Sequence, residues 1–223
     1  VPIERELIDK PKDKVKIIYH TTPHRGLELV VPVFEKLCET HDNIELDVYS
    51  SFKIYGWEQR DTQYAELFER CEKHPKINYH GTVPNEEVRK AVGSAHIFAY
   101  PSIWVETSCI SLMEAMSAEC ICVHPNYGAL YETAGGTTVM YQWNEDKNGH
   151  ATTMYHQLDN VIKQANTEML QNVVKIAKSY ADLRYNWERV TMVWTDILKS
   201  LQSRYPTVES RKNPGPMFHY KIG

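Results

Sequence analysis

The chain has 223 residues, 42% hydrophobic and 24% charged, with a formal net charge of −4. That composition suits a globular protein with one large domain or two small ones, and its interspersed charges argue against bulk attraction to nucleic acid or to a membrane surface. Five cysteines without framework spacing point to free thiols in a reducing compartment, and no run of about 18 apolar residues could form a transmembrane segment.

Residues 1–14 carry no apolar signal core and read as a connector, so a cytoplasmic protein, or a cytoplasmic part of one, is expected. VKIIYH (15–20) is a compact strand candidate, followed by helix-like spacing over 26–39. IELDVYS (44–50) is a second strand, 62–74 a helix, and KINYHG (76–81) a third strand. The segment 85–95 reads as a short amphipathic helix opened by an Asn85 cap. AHIFAYP (95–101), a helix over 108–118, CICVHP (120–125) and TTVMYQW (137–143) continue the series. Cys120 and Cys122 alternate in an apolar run, which places both against one packed layer rather than on a metal. This strand–helix alternation predicts an α/β, Rossmann-like parallel sheet with helices on both faces over 15–186. Its ligand crevice would lie at the C-terminal ends of the strands.

After about residue 150 the pattern is helical only. Trp187, Val190, Trp194, Ile197, Leu198 and Leu201 form an apolar stripe expected to pack in part on the sheet domain. They open a C-terminal element, 187–223, made of a helix and a tail with three prolines.

No G-x-G and no G-x-x-x-x-G-K occurs, which lowers nicotinamide dehydrogenases and P-loop phosphotransferases. In HTTPHRGLELVV (20–31) a polar loop leads into Arg25-Gly26 at a helix start, where unpaired N–H groups and a guanidinium suit a phosphate. An exposed loop arginine beside a turn glycine explains the same residues equally well. His20 and His24 are separated by Pro23, which favours loop histidines over a helical metal pair.

Glu106 and Glu114 stand eight positions apart in a stretch without a basic residue, with Thr107 or Ser108 available to cap the following helix. Were the interval helical, it would advance about 12 Å, close to the distance from a hexose to a ribose across a diphosphate. A glycosidase pair would be closer, roughly 5–9.5 Å. As an ordinary acid in the first turn of a helix Glu106 needs no further account, but Glu114, amid Met113 and Met116, does.

The E-x7-E arrangement after Y-P-S-x-W (100–104), with NYGALYET (126–133) downstream, closely resembles the retaining glycosyltransferases of the GT-B fold, in the large family four. The resemblance covers roughly residues 15–135 and implies one half of a GT-B fold, the C-terminal, donor-binding domain. It implies that Arg25, beside Gly26, contacts a donor diphosphate and that Glu114 holds the ribose. Glu106, with the backbone of Thr107, Ser108 and Cys109, would face the sugar, and Gly81, Thr82 and Val83 would meet the nucleobase. Glu106 and Arg25 are the residues it makes catalytic.

The implied activity is transfer from a UDP- or GDP-linked sugar, with retention, to a glycan, lipid or protein acceptor, without cofactor or obligatory metal. An N-terminal GT-B domain, in cis or in trans, would complete the site, so the isolated chain is expected to transfer poorly. Surface left uncovered on the terminal helices would be available for homodimerisation. Three departures stand out: YHTT replaces an upstream basic residue, with His20 or Thr22 as substitutes, Glu119 occupies a usual glycine position, and, the largest, the length suits one of the two domains of a complete GT-B enzyme. A GT-B-fold epimerase or phosphorylase, or a non-catalytic nucleotide-sugar scaffold, would share these features.

Overall fold

The structure, a computed structural model, describes residues 7–204. The chain divides into two units, Val1–Tyr185 and Asn186–Gly223. The first is built on six strands: β1 (Val15–His20), β2 (Ile44–Tyr49), β3 (Ile77–Tyr79), β4 (Ile97–Ala99), β5 (Ile121–Pro125) and β6 (Val139–Tyr141). They form one sheet in the order β3-β2-β1-β4-β5-β6, and every pairing is parallel. Strands covered on both faces must be apolar nearly throughout. Ile17, Ile18 and Tyr19 of β1, Ile97 and Phe98 of β4, and Val123 of β5 are accordingly buried. Ile17 stands level with Leu46 on one side and Ile97 on the other, and Ile97 with Ile121.

The chain builds outward from β1 to β3 and then returns to the other side of β1 at β4. The loops after β1 and β4 therefore part in opposite directions, which opens the crevice expected in such sheets. The edge strands β3 and β6 are three residues each, shorter than the expected 76–81 and 137–143, and β4, paired on both sides, is likewise three residues long.

Among the described residues seven α-helices complete this unit: α1 (Leu27–Leu37), α2 (Ala65–Lys73), α3 (Asn85–Ser94), α4 (Ile110–Ser117), α5 (Leu130–Ala134), α6 (Lys147–Gln164) and α7 (Glu168–Arg184). α1 packs with α2 and α6, and α4 with α3, α5 and α7, giving two helical layers on the sheet. Each fully buried Leu, Ile or Phe contributes roughly 1.5–3 kcal/mol, and Phe34, Leu37, Leu46, Ile97, Phe98 and Leu112 are among them. Asp146 caps α6 through the Gly149 N–H, and Thr167 caps α7 through that of Leu170.

Three helix starts differ from expectation. Pro84, not Asn85, is the cap of α3. Residues 58–64 form 3-10 turns before α2 begins, and α4 starts at Ile110 with Cys109 as its cap, rather than at Thr107 or Ser108. In the second unit, α8 (Trp187–Arg204) carries the apolar stripe and has no buried residue. The proline-containing tail, 205–223, lies outside the described residues, as do residues 1–6 of the connector. Among the described residues no helix is long and apolar enough to cross a membrane.

The described end of the connector is held at the foot of the sheet. Lys10 Nζ donates to the carbonyls of Ala95 (2.6 Å), Ala118 (3.2 Å) and Glu119 (2.7 Å), the ends of α3 and α4. A cation there meets unpaired helix carbonyls and the negative ends of two dipoles. Glu119 closes α4 in a Schellman motif: its N–H donates to Met116 O (3.1 Å) and that of Cys120 to Ala115 O (2.9 Å). This requires φ of +55°, and Glu119 is the one non-glycine residue at positive φ among those described. Glu119→Gly is expected to raise stability by about 1 kcal/mol, or about 2–4 °C in Tm. Urea unfolding of the two proteins checks this, and an unchanged or lowered midpoint would contradict it.

Candidate functional site

Three loops at the C-terminal ends of β1, β4 and β5 converge. After β1, Thr22 is extended, and Pro23–Arg25 make a 3-10 turn that presents Arg25 before α1 rather than on it. Gly26 follows at φ +124°, and a Cβ there would lie 2.4 Å from Pro101 O. The glycine thus lets the β4 loop pass directly over the β1 loop. On its far side the β4 loop is pinned by the Ala129 N–H donating to Glu106 O (2.8 Å). Gly128, at φ +58°, touches the same peptide: its absent Cβ would sit 2.6 Å from Glu106 O.

This packing brings Arg25 to Glu106 across 81 positions. Arg25 Nη1 and the Tyr100 hydroxyl both donate to Glu106 Oε1. The Arg25 side chain is 24% exposed and that of Glu106 only 4%. Burial works against the Arg25 charge, but the hydrogen bonds with Glu106 and Tyr100 outweigh it and raise the guanidinium pKa. Burial pushes the Tyr100 hydroxyl far up, with Cys109 and Glu106 adding to it. The Cys109 thiol is raised to about 12 by burial, then by Glu106. Tyr100 therefore remains a donor and Cys109 stays protonated, so neither is a nucleophile at neutral pH.

Beside this triad lies a cleft of about 300 Å³. Thr22, Gly81, Thr82, Val83 and Glu114 line it, together with His20, Tyr49, Ser51, Tyr55 and Ser111. Ser111 and Glu114 reach it from one face of α4, three residues apart. Among the described residues no side chain caps the first turn of α4, and Ser111 Oγ donates to His20 O (3.1 Å), which ties α4 to β1. The Thr22 hydroxyl is buried with no hydrogen-bond partner among the described residues. A buried polar atom without a partner is costly and is relieved by a ligand oxygen. At the far wall the Tyr49 ring stacks on His80 (4.2 Å, 5° between planes). His80 Nε2 lies 3.1 Å from Asp47 Oδ1, which also accepts from Asn78. Burial alone would raise the Asp47 pKa, but Lys16, His80 and Asn78 lower it, so this carboxylate stays charged and fixes the wall.

The expected site residues thus fall into two groups. Thr22, Gly81, Thr82, Val83 and Glu114 meet in the cleft, while Arg25 and Glu106 form an ion pair at its side. Gly26 is the buried hinge between them, Thr107 and Ser108 are exposed, and Cys109 is buried. The helical interval assumed between Glu106 and Glu114 does not exist, because the chain is not helical until Ile110. The partner of Glu106 is not readable from its own stretch. Tyr100, Tyr49, Tyr55 and Ser111 escape sequence reasoning as well. For Tyr100 the one signal is a polar-tipped aromatic directly after a buried strand.

The chain resembles known proteins at low identity. It is 22% identical over 185 residues to a phosphatidylinositol N-acetylglucosaminyltransferase subunit of Arabidopsis thaliana, covering 83% of this chain and 39% of that protein. Its fold is similar to that of a glycosyltransferase from Rickettsia africae ESF-5, with a TM-score of 0.69 at 14% identity over 88% of this chain and 50% of that one. The pneumococcal O-GlcNAc transferase GtfA, solved in complex with UDP and GlcNAc, gives a TM-score of 0.63 at 10% identity over 90% and 38% of the two chains. The chain therefore spans half the length, or less, of these proteins. Residues 3–137, more than half of the chain, match the family described as glycosyl transferases group 1, and the chain belongs to that family.

Proposed function

We propose that the chain is the donor-binding part of a retaining glycosyltransferase that uses a nucleotide-diphosphate sugar. The observation that carries this reading is the cleft at the sheet's switch point, where the unpartnered Thr22 hydroxyl, Glu114 and the Gly81–Val83 turn meet, with Arg25 at its side. The base would lie between the Tyr49 wall and Gly81–Val83, and the ribose on Glu114. The diphosphate would bridge Thr22, the uncapped start of α4 and Arg25, with the sugar towards Glu106 and the backbone of Thr107 to Cys109. Charge developing on the leaving diphosphate would be met by Arg25 and by helix N–H groups already in place, a form of stabilisation that requires no metal.

The relatives' names make UDP-N-acetylglucosamine the first donor to test. One relative is by name part of a larger enzyme, which supports a second domain or chain holding the acceptor. Lacking that positioning, the isolated chain would transfer slowly. The five cysteines are free thiols, four of them buried, which fits a reducing compartment.

The test is calorimetry with UDP, GDP and uridine. Glu114→Ala is expected to weaken the nucleotide that binds by about 1–3 kcal/mol, roughly five- to hundredfold, the scale of a charge-assisted hydrogen bond. Affinity unchanged within error would remove Glu114 from the site. Product analysis with a labelled donor, once the acceptor half is supplied, distinguishes transfer from epimerisation or simple binding.

A further inference from the structure

A second concavity, of about 470 Å³, adjoins the donor cleft and shares Tyr55 with it as a common wall. Arg25 also lines it, so it lies next to where the sugar end of the donor would be placed. Its surface is aromatic. His24 stacks on Phe52 (5.1 Å, 17°), and Trp104 stands edge-on to His24 (4.9 Å). Tyr55 and Trp57 adjoin (5.4 Å), with the Arg60 guanidinium 4.6 Å from the Trp57 ring centre.

Phe52 is buried, but Tyr55, Trp57 and Trp104 are not core residues. Tyr55 is 56% exposed, Trp57 45% and Trp104 51%, yet the segment bearing the first two is firmly built. Asp61 accepts from Ser51 Oγ (2.5 Å) and from the Phe52 N–H (2.8 Å), closing the turn that displays them. No carboxylate lines the concavity, and among the described residues Arg60 has no carboxylate partner.

We propose that this concavity is a saccharide subsite on the acceptor side of the donor cleft, formed by Trp57, Tyr55 and Trp104 with Arg60 and Gln63 at its rim. A sugar ring has an apolar C–H face that lies flat on an aromatic ring, and hydroxyls at its edge that need nearby polar groups. A concave aromatic surface with a few polar groups supplies both. A lipid chain would gain nothing from the guanidinium, whereas Arg60, already held over Trp57, adds attraction for a carboxylated or phosphorylated sugar. This subsite rests on the donor reading for its role, because a sugar bound here is useful only beside a donor.

The experiment uses the full chain on an array of immobilised neutral and uronate- or sialate-bearing glycans, with UDP-induced thermal shift measured in parallel. Retention of a subset of glycans is expected, acidic ones foremost. Trp57→Ala should weaken it about tenfold or more, the scale of losing one stacked ring. Arg60→Gln should remove the preference for acidic glycans. No retained glycan, or retention indifferent to both Trp57→Ala and Trp104→Ala, would overturn the subsite. So would a self-association that the same variants abolish without any glycan retained. A missing UDP shift in the parent chain would instead count against the donor reading, which keeps the two failures apart.

Discussion

Arg25→Ala is expected to damage both the fold and the proposed donor site, and a second substitution should separate the two losses. Removing the guanidinium leaves Glu106, 4% exposed, with only the Tyr100 hydroxyl on the same oxygen. Breaking one partner of a buried ion pair costs about 3–5 kcal/mol. Because the Arg25 side chain is 24% exposed, the lower end applies. A loss of about 3 kcal/mol corresponds to a fall of roughly 6–12 °C in Tm for a chain of this size. Adding Glu106→Gln removes the stranded charge, and the double variant should recover most of the stability. Its affinity for UDP should not recover, since no guanidinium then pairs with the phosphate oxygens. Arg25→Lys should retain part of the affinity, lacking the planar fork. Urea unfolding and calorimetry on the parent, the single variants Arg25→Ala and Glu106→Gln, and the double variant form a double-mutant cycle. UDP binding restored in the double variant would mean that Arg25 acts only by neutralising Glu106. An undiminished Tm in the single variant would show that the pair carries no stability.

The order of elements was legible because a parallel sheet buried on both faces writes its strands as apolar runs. VKIIYH and CICVHP could scarcely be anything else, and helical spacing filled the intervals. What was not legible depends on contacts between distant loops. Arg25 and Glu106 are 81 positions apart, and their pairing follows from the crossing of two loops that no local pattern encodes. Gly26 was visible as a turn residue, but its close approach to Pro101 was not.

The start of α4 departs from expectation for a related reason. Thr107 and Ser108 are favoured cap types, yet the anchoring of Glu106 on Gly128 and Ala129 delays the helix to Ile110. At α3 the proline before Asn85 took the cap position, leaving the asparagine inside the helix. The cleft residues near glycine turns are recognisable in the sequence, whereas the tyrosines look like ordinary core. Nothing local signals that Tyr100 donates to a carboxylate, because a buried tyrosine looks the same whether its hydroxyl has that partner or another.

Gly26→Ala is expected to be among the most damaging small substitutions in the chain. At φ +124° and ψ 14° an alanine would occupy backbone space that residues with a Cβ rarely enter, which costs about 1–3 kcal/mol. Its Cβ would also lie 2.4 Å from Pro101 O, a backbone atom rather than the end of a flexible side chain. Pro101 cannot withdraw freely, because Tyr100 before it continues the ladder to Val123 O (2.9 Å) and Ser102 after it folds back on Tyr100 O (2.9 Å). Relief must come from displacing the β1 loop, which adds about 1–3 kcal/mol for overpacking. The sum, about 2–6 kcal/mol, corresponds at about 2–4 °C per kcal/mol to a fall of roughly 4–24 °C in Tm. Gly56→Ala is the matched comparison: it too has positive φ, +72°, but nothing lies within 4 Å of its added Cβ. It should lose only about 1 kcal/mol. Displacing the β1 loop also moves Arg25 off Glu106, so whatever Gly26→Ala protein remains folded should bind UDP more weakly than the Gly56→Ala protein. Equal thermal stability of the two variants would mean that the crossing of the β1 and β4 loops relaxes without cost, and that the Arg25–Glu106 geometry does not depend on a glycine at its hinge.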